Sequence, residues 1–201
     1  MGISDADIKA VVTRYLERHP EEAKPLAEPV RRLWQGVDLA SRHTFPMHVT
    51  VGALLVRGNE ILLVDHRAYG IPLQPGGHLE PTDVTLIDAA LRELVEETGV
   101  DPTQIRVASR APVYVEYGRV PARPDKDEPE HFHLDLGYSF TAPAHLDVGR
   151  LQETEVVAAA WYPFDEAERL VGHRVDRAVR EGGLGGLASV RTRFQSSDPA
   201  P

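Results

Sequence analysis

Between residues 92 and 97 the chain reads Arg-Glu-Leu-Val-Glu-Glu, and helical periodicity brings its three glutamates together. At 100° per residue, with Glu93 at zero, Glu97 falls near about 40° and Glu96 near about 300°, so the three carboxylates share one face. Ile87, Leu91, Leu94, Val95 and Thr98 fall on the opposite side, which gives the same helix a flank to bury. Like charges at these spacings repel, more strongly if a cleft removes water from them, so stability alone does not favour the cluster. A hard divalent cation such as Mg²⁺ or Mn²⁺ removes the repulsion, and an ion held by carboxylates can also bridge a phosphate. For an isolated Glu-Glu pair the plainer reading is a solvated helix face.

A second constellation is His131, His133 and Asp135, alternate residues that a strand presents on one side, where His-x-His can chelate a transition metal, line a substrate cleft or form a polar sheet face. His66 and His78 flank the glycine pair Gly76-Gly77 and bring a shared cleft within reach. Tyr69, Tyr114 and Tyr117 can stack a base or fill the core. Arg119, Arg123 and Lys126 can meet a phosphate tail or belong to a solvated loop. No Walker or dinucleotide-binding glycine pattern and no nucleophile elbow is present.

The elements that must position these groups are legible in outline. Ser4 with Asp7 forms a capping box ahead of Ile8, Val11, Val12, Tyr15 and Leu16 at helical spacing, and Val30, Leu33, Trp34 and Val37 suggest a second short helix. Residues 1–45 therefore read as a helical extension. His48 to Val56 and Ile61 to Asp65 read as a hairpin around Arg57-Gly58-Asn59. Gln74 to Gly77 reads as a loop whose glycines permit unusual backbone angles, and a helix follows from about Thr85 to Thr98, stopped by Gly99. Ile105 to Val107, Pro112 to Tyr117, His131 to Thr141 and Val156 to Tyr162 read as strands, the third half-buried. Gly118 to Glu130 reads as a loop, Asp165 to Arg180 as one helix, and 182–201 as a partly disordered tail.

With 201 residues, 42% of them apolar, the chain can build one sizeable core. Its 31 acidic against 22 basic residues give a net charge of −9, which disfavours nucleic acid or an anionic membrane as partner. No run of about 20 apolar residues and no leader-like segment occurs, so a cytoplasmic location is expected. There are no cysteines, which excludes disulfides, thiolate metal sites and a cysteine nucleophile.

The run Arg92-Glu93-Leu94-Val95-Glu96-Glu97-Thr98-Gly99-Val100, behind Gly76-Gly77, resembles the second half of the box of the Nudix hydrolase family at every fixed position. The family box reads glycine, five residues, glutamate, seven residues, Arg-Glu, an apolar residue, any residue, Glu-Glu, any residue, glycine, apolar. Its first half departs here: counted from Gly77, Asp83 fills the glutamate position, and eight residues separate it from Arg92. Asp83 either orients Arg92 or caps the helix, as Thr85 also could. The resemblance implies an α+β fold, a Nudix-type α/β/α sandwich with a mixed sheet over 46–181. It implies Glu93, Glu96 and Glu97 as ligands of Mg²⁺ or Mn²⁺, the Gly76 carbonyl as a further ligand, and Arg92 holding the carboxylates. The implied reaction is hydrolysis of a phosphoanhydride in a nucleoside diphosphate linked to another group. Glu97 is the first candidate for the base, with Glu153 and Glu155 in reserve. The rival readings are a nucleotide-binding or sensor module without turnover, and an isoprenoid diphosphate isomerase, which the lack of cysteine counts against. A homodimer is left open.

Overall fold

The computed structural model describes residues 2–67, 70–124, 127–154, 156–172 and 174–181. Helix α1 (Asp5–Arg18) starts on the expected capping box, with Ser4 Oγ accepting from the Asp7 backbone N–H and the Asp7 carboxylate accepting from the Ser4 N–H at 2.9 Å. A 3₁₀ turn over Pro20–Glu22 leads into α2 (Ala27–Leu33), which stops short of Trp34 and Val37; both are exposed.

Strands β1 (Met47–Arg57) and β2 (Glu60–His66) form the hairpin, and Gly58 supplies the positive φ (52°) that its two-residue turn requires. Two short strands follow, β3 (Pro72–Leu73) on β2 and β4 (Gly76–His78) on β1. The segment expected to be a glycine loop is therefore partly sheet. Neither Gly76 nor Gly77 has a positive φ. Their need for glycine is steric: a Cβ on Gly76 would stand 2.4 Å from the Val51 carbonyl oxygen, and one on Gly77 would stand 2.6 Å from the Glu93 carboxyl carbon.

Helix α3 (Leu86–Thr98) begins at Thr85, whose hydroxyl accepts from the Asp88 N–H, and ends at Gly99 in the left-handed conformation. Then come β5 (Arg106–Val107), β6 (Tyr114–Val120), β7 (His131–Thr141) and β8 (Val156–Pro163). The expected 118–130 loop is shortened because β6 runs to Val120 against His131 of β7. The single helix expected over 165–180 is two, α4 (Phe164–Val171) and α5 (Arg174–Glu181), broken where Gly172 takes φ 76°. The expected tail at 182–201 lies outside the described residues.

At the centre, β1 and β7 run parallel with Met47 beside Phe132, Val49 beside Leu134 and Val51 beside Leu136. That face packs against Leu86, Ala89, Ala90 and Leu94 of α3 and Ile8, Val12 and Tyr15 of α1. The other face, with Leu54, Val56, Ile61 and Leu63, packs against Phe164, Ala167, Val175 and Ala178 of α4 and α5. Each large side chain removed from water this way contributes about 1.5–3 kcal/mol. Strand β7 is more buried than its alternation suggests: His131 and Ser139 on its polar side are as buried as its leucines, while His133 and Asp135 between them are partly open.

Two further ties matter for the site. The Tyr15 hydroxyl donates to Glu22 at 2.7 Å, and Arg177 of α5 bonds both Tyr15 and Glu22, so the first helix is fastened to the last. At the end of α3, Gly149 N–H donates to the Thr98 carbonyl at 2.9 Å and Gln152 N–H to the Glu97 carbonyl at 3.3 Å. A Cβ on Gly149 would fall 2.0 Å from the Gly99 oxygen, so the two backbones lie directly on one another.

Candidate active site

Helix α3 lies against β4, and the carboxylates on its acidic edge are not the solvated face that a surface helix would show. Glu97 is fully buried and Glu93 nearly so, while Glu96 is exposed. Glu97 Oε2 accepts from the Gly76 N–H at 3.2 Å, and the missing side chain of Gly77 leaves the space that the Glu93 carboxylate fills.

Arg92 ties this edge together. Its Nε and Nη2 donate to the two oxygens of Asp83, each at 3.0 Å; Nη2 also donates to the His78 carbonyl at 2.9 Å. Nη1 donates to Glu93 at 2.9 Å and to Glu96 at 3.0 Å. Burial works against the charge of this guanidinium, but Asp83 and Glu93 outweigh it and hold its pKa above the usual arginine value. Asp83 thus takes the orienting role and Thr85 the cap. The extra residue of the variant box is absorbed in a turn at 80–83, where Asp83 N–H donates to the Glu80 carbonyl and the Asp83 carboxylate accepts from the Glu80 N–H at 2.7 Å.

Beside this edge, the sheet face not covered by α3 opens as a cleft of about 680 Å³, bordered among others by Gly76, Gly77, His78, His133, Asp135 and Arg174. Its floor is a closed polar network. Arg174 donates to Glu116 at 2.8 Å and to Gln74 at 3.1 Å, and Gln74 donates to the Tyr114 hydroxyl at 3.0 Å. That hydroxyl donates to Asp135 at 2.8 Å, and Thr50 donates to the other Asp135 oxygen at 3.0 Å. Burial raises the Asp135 carboxyl above its ordinary range, against the pull of Arg174, and raises the Tyr114 hydroxyl as well. A network with its members satisfied is a rigid floor.

Four imidazoles cluster at one end of the cleft, and three of them, His78, His131 and His133, line it. His48 faces His133 across the parallel β1–β7 register, and His78 and His131 join them. Nε2 of His48 lies 3.1 Å from Nε2 of His78, and Nε2 of His131 lies 3.1 Å from Nε2 of His133. Burial lowers the pKa of His48 to about 4, His133 to about 3 and His78 to about 2, so all three rings are uncharged at neutral pH.

The other expected site residues are dispersed. Tyr114 is consumed in the floor network, and Tyr117 stacks on Phe132 with ring centres 4.8 Å apart. Arg119 pairs with Glu130 at the exposed rim, and Arg123 borders the cleft 4.0 Å from Glu128. His66 borders the cleft away from the four rings, and the Glu153 side chain is exposed, its carbonyl taken by Arg67. Tyr69, Lys126 and Glu155 lie outside the described residues. His48, Thr50, Gln74, Glu116 and Arg174 escape sequence reasoning. No local pattern marks them, since they meet Asp135 only through the sheet register and the turn of α5 onto it.

The NUDIX domain family model matches residues 46–181, and the chain belongs to the Nudix family. The m7GpppN-mRNA hydrolase NUDT17 of Danio rerio is 33% identical over 99 residues, 46% of this chain and 29% of that protein. The phosphatase NudJ of Escherichia coli K12 is 47% identical over 58 residues, 28% of this chain and 37% of that protein. The chain thus spans about a third of the length of the curated relatives it matches. A binary complex of the Caenorhabditis elegans Ap4A hydrolase shares the fold, with TM-score 0.52 and 18% identity over 69% of this chain and 98% of that one. A NUDIX-family hydrolase of Clostridium perfringens is similar, with TM-score 0.51 and 18% identity over 68% of this chain and 97% of that one. These likenesses establish the α+β sandwich with its mixed sheet. No helix among the described residues is long and apolar enough to cross a membrane.

Proposed function

We propose that the chain is a metal-dependent pyrophosphohydrolase that cleaves a phosphoanhydride bond in a nucleoside diphosphate linked to another moiety, using Mg²⁺ or Mn²⁺ held by Glu93, Glu96, Glu97 and the Gly76 carbonyl. The observation that carries this reading is the burial of Glu93 and Glu97 together against the backbone of β4, one turn apart on α3. One guanidinium, Arg92, donates hydrogen bonds to three carboxylates, Asp83, Glu93 and Glu96. Taking carboxylates out of water costs several kcal/mol each unless positive charge offsets it, and an all-oxygen donor set suits a hard divalent ion. Such an ion supplies positive charge to phosphate oxygens and acidifies a water molecule.

The chain's own groups do the rest. Arg92, gripped by Asp83, keeps Glu93 and Glu96 aimed. Glu97 takes the proton of the attacking water at its carboxylate; it stands in the cluster, whereas the reserve candidate Glu153 is exposed. Arg123 at the cleft wall meets the second phosphate, and the rigid floor of Asp135, Tyr114 and Arg174 shapes the pocket for the remaining moiety. Residues 46–181 form the catalytic domain and 1–45 a helical extension packed on it. The altered first half of the box favours the non-catalytic reading, and the two-point grip of Asp83 on Arg92 weighs against it.

The test is a panel of nucleoside diphosphate derivatives incubated with Mg²⁺ or Mn²⁺, with products resolved by mass. Metal-dependent cleavage is expected, falling by about 10²–10⁴-fold in Glu93→Gln and Glu97→Gln. A wild-type chain that turns over none of the panel while still binding its members would establish the sensor reading instead.

A further inference from the structure

We propose that His48, His78 and His133 form a second cation site, separate from the α3 carboxylates, for a borderline transition ion of the Zn²⁺ type. The site stands whether or not the hydrolase reading does. One ligand atom from each of the three rings lies within 4.8 Å of the other two. The closest pair, the Nε2 atoms of His48 and His78, is 3.1 Å apart. Two nitrogens sharing a tetrahedral Zn²⁺ at about 2.0–2.1 Å are themselves about 3.3 Å apart, so little movement is needed.

In two of the four rings, His48 and His131, the tautomer is the one metal binding needs. His48 Nδ1 lies 3.2 Å from the Thr44 carbonyl oxygen, and His131 Nδ1 lies 2.7 Å from that of Pro129. A carbonyl oxygen only accepts, so in both rings Nδ1 carries the proton and Nε2 turns its lone pair inward. This is the outer-shell arrangement that orients imidazoles toward a metal. His131, with Nε2 3.1 Å from that of His133, is placed to steady His133 or to serve as a fourth ligand.

The scaffold is rigid. His48 and His133 are neighbours in the register of the central parallel strands, and His78 comes from β4, paired to β1 through Thr50. His48 is 2% exposed and lies behind the lining, while His78, His131 and His133 border the cleft, so an ion held there keeps one side open to solvent or an anionic ligand. Imidazole nitrogen suits Zn²⁺, Ni²⁺ or Co²⁺ and not Mg²⁺, which demands oxygen; the two cation sites are chemically distinct. Ring-to-ring hydrogen bonds are the competing use of the same nitrogens.

The experiment uses the full chain, without an affinity tag, stripped with a chelator and held in millimolar Mg²⁺. Zn²⁺ binding is followed by calorimetry and Co²⁺ binding by visible absorption. One ion per chain is expected, with a Co²⁺ spectrum of low coordination number and an X-ray absorption signature of three or four imidazoles on Zn²⁺. His48→Asn or His133→Asn is expected to weaken binding by at least about 100-fold, whereas Glu93→Gln and Glu97→Gln leave it unchanged. The absorption signature of the unaltered chain guards against a histidine variant that fails to fold. No ion bound more tightly than about 0.1 mM, or binding lost in the glutamate variants and kept in the histidine variants, overturns the site.

Discussion

Removing the Asp83 carboxylate tests the central brace of the site. In Asp83→Ala, Arg92 loses two hydrogen bonds of 3.0 Å and the Glu80 N–H loses its 2.7 Å acceptor. Breaking one side of a buried ion pair costs about 3–5 kcal/mol. Arg92 keeps Glu93, Glu96 and the His78 carbonyl, and its side chain is 19% exposed, so the lower end applies, about 3 kcal/mol. For a chain of this size each kcal/mol moves the melting temperature by about 2–4 °C, which gives a fall of about 6–12 °C. Asp83→Asn, which keeps the volume and one acceptor, is expected to lose about half as much. Urea denaturation gives the free energy and calorimetry the midpoint, with the rate of diphosphate hydrolysis followed in parallel. A double-mutant cycle with Arg92→Met should return a coupling of about 1–3 kcal/mol. If Asp83→Ala unfolds within 1 kcal/mol of the parent, as roughly a surface change would, and the cycle shows no coupling, Asp83 is not what holds Arg92 and the account of the altered box is wrong.

Three other outcomes follow from the same structure. Gly77→Ala places its Cβ 2.6 Å from the Glu93 carboxyl carbon, the far end of a side chain, so folding should persist while hydrolysis drops by about 10²-fold; steady-state rates on a purified, folded variant check it. Gly76→Ala instead meets the Val51 carbonyl oxygen at 2.4 Å, which is backbone and cannot swing away, and urea titration should show a loss of about 1–3 kcal/mol. Glu22 has a third behaviour: burial alone would raise its pKa, but the bonds from Arg177 and Tyr15 hold it below the ordinary 4.5. Its contribution is therefore fully present above pH 4.5 and is lost as pH falls through the depressed folded value, so Glu22→Gln should flatten the acid limb of stability against pH, and an unchanged limb would contradict this.

What the sequence disclosed and what it withheld divide by distance along the chain. Helix α3, its glycine stop and the β1–β2 hairpin are written in spacings of two to four residues, and all were legible. The role of Asp83 was not, because an acidic residue just ahead of a helix suits both capping and pairing, and only the turn at 80–83 decides between them. The glycine pair signals a special backbone, but what demands it is crowding by Val51 and Glu93 and not dihedral freedom. Alternation in β7 identified His131, His133 and Asp135 as one face, yet alternation is blind to what covers that face. His48, Thr50 and Arg174 reach Asp135 or its neighbours only after β1 and β7 align in parallel and α5 folds back, through hydrogen bonds that span 85 positions for Thr50 and 58 and 100 for Arg174. Sequence proximity carries no trace of them.

The seam between Gly99 and Gly149 governs how this member of the Nudix family can be altered. Because the two backbones abut with no room for a side chain, the helix bearing the acidic edge and the stretch leading to Thr154 at the cleft mouth travel as one piece. A graft of the rim that follows Val120 is not free of ties either, since Glu128 accepts from Arg42 at 3.2 Å and the Pro129 carbonyl meets His131 Nδ1 at 2.7 Å. A graft that begins upstream of Gln152 would cut the bonds that Gly149 and Gln152 give to the end of α3, and so would disturb the acidic edge along with the segment it replaces.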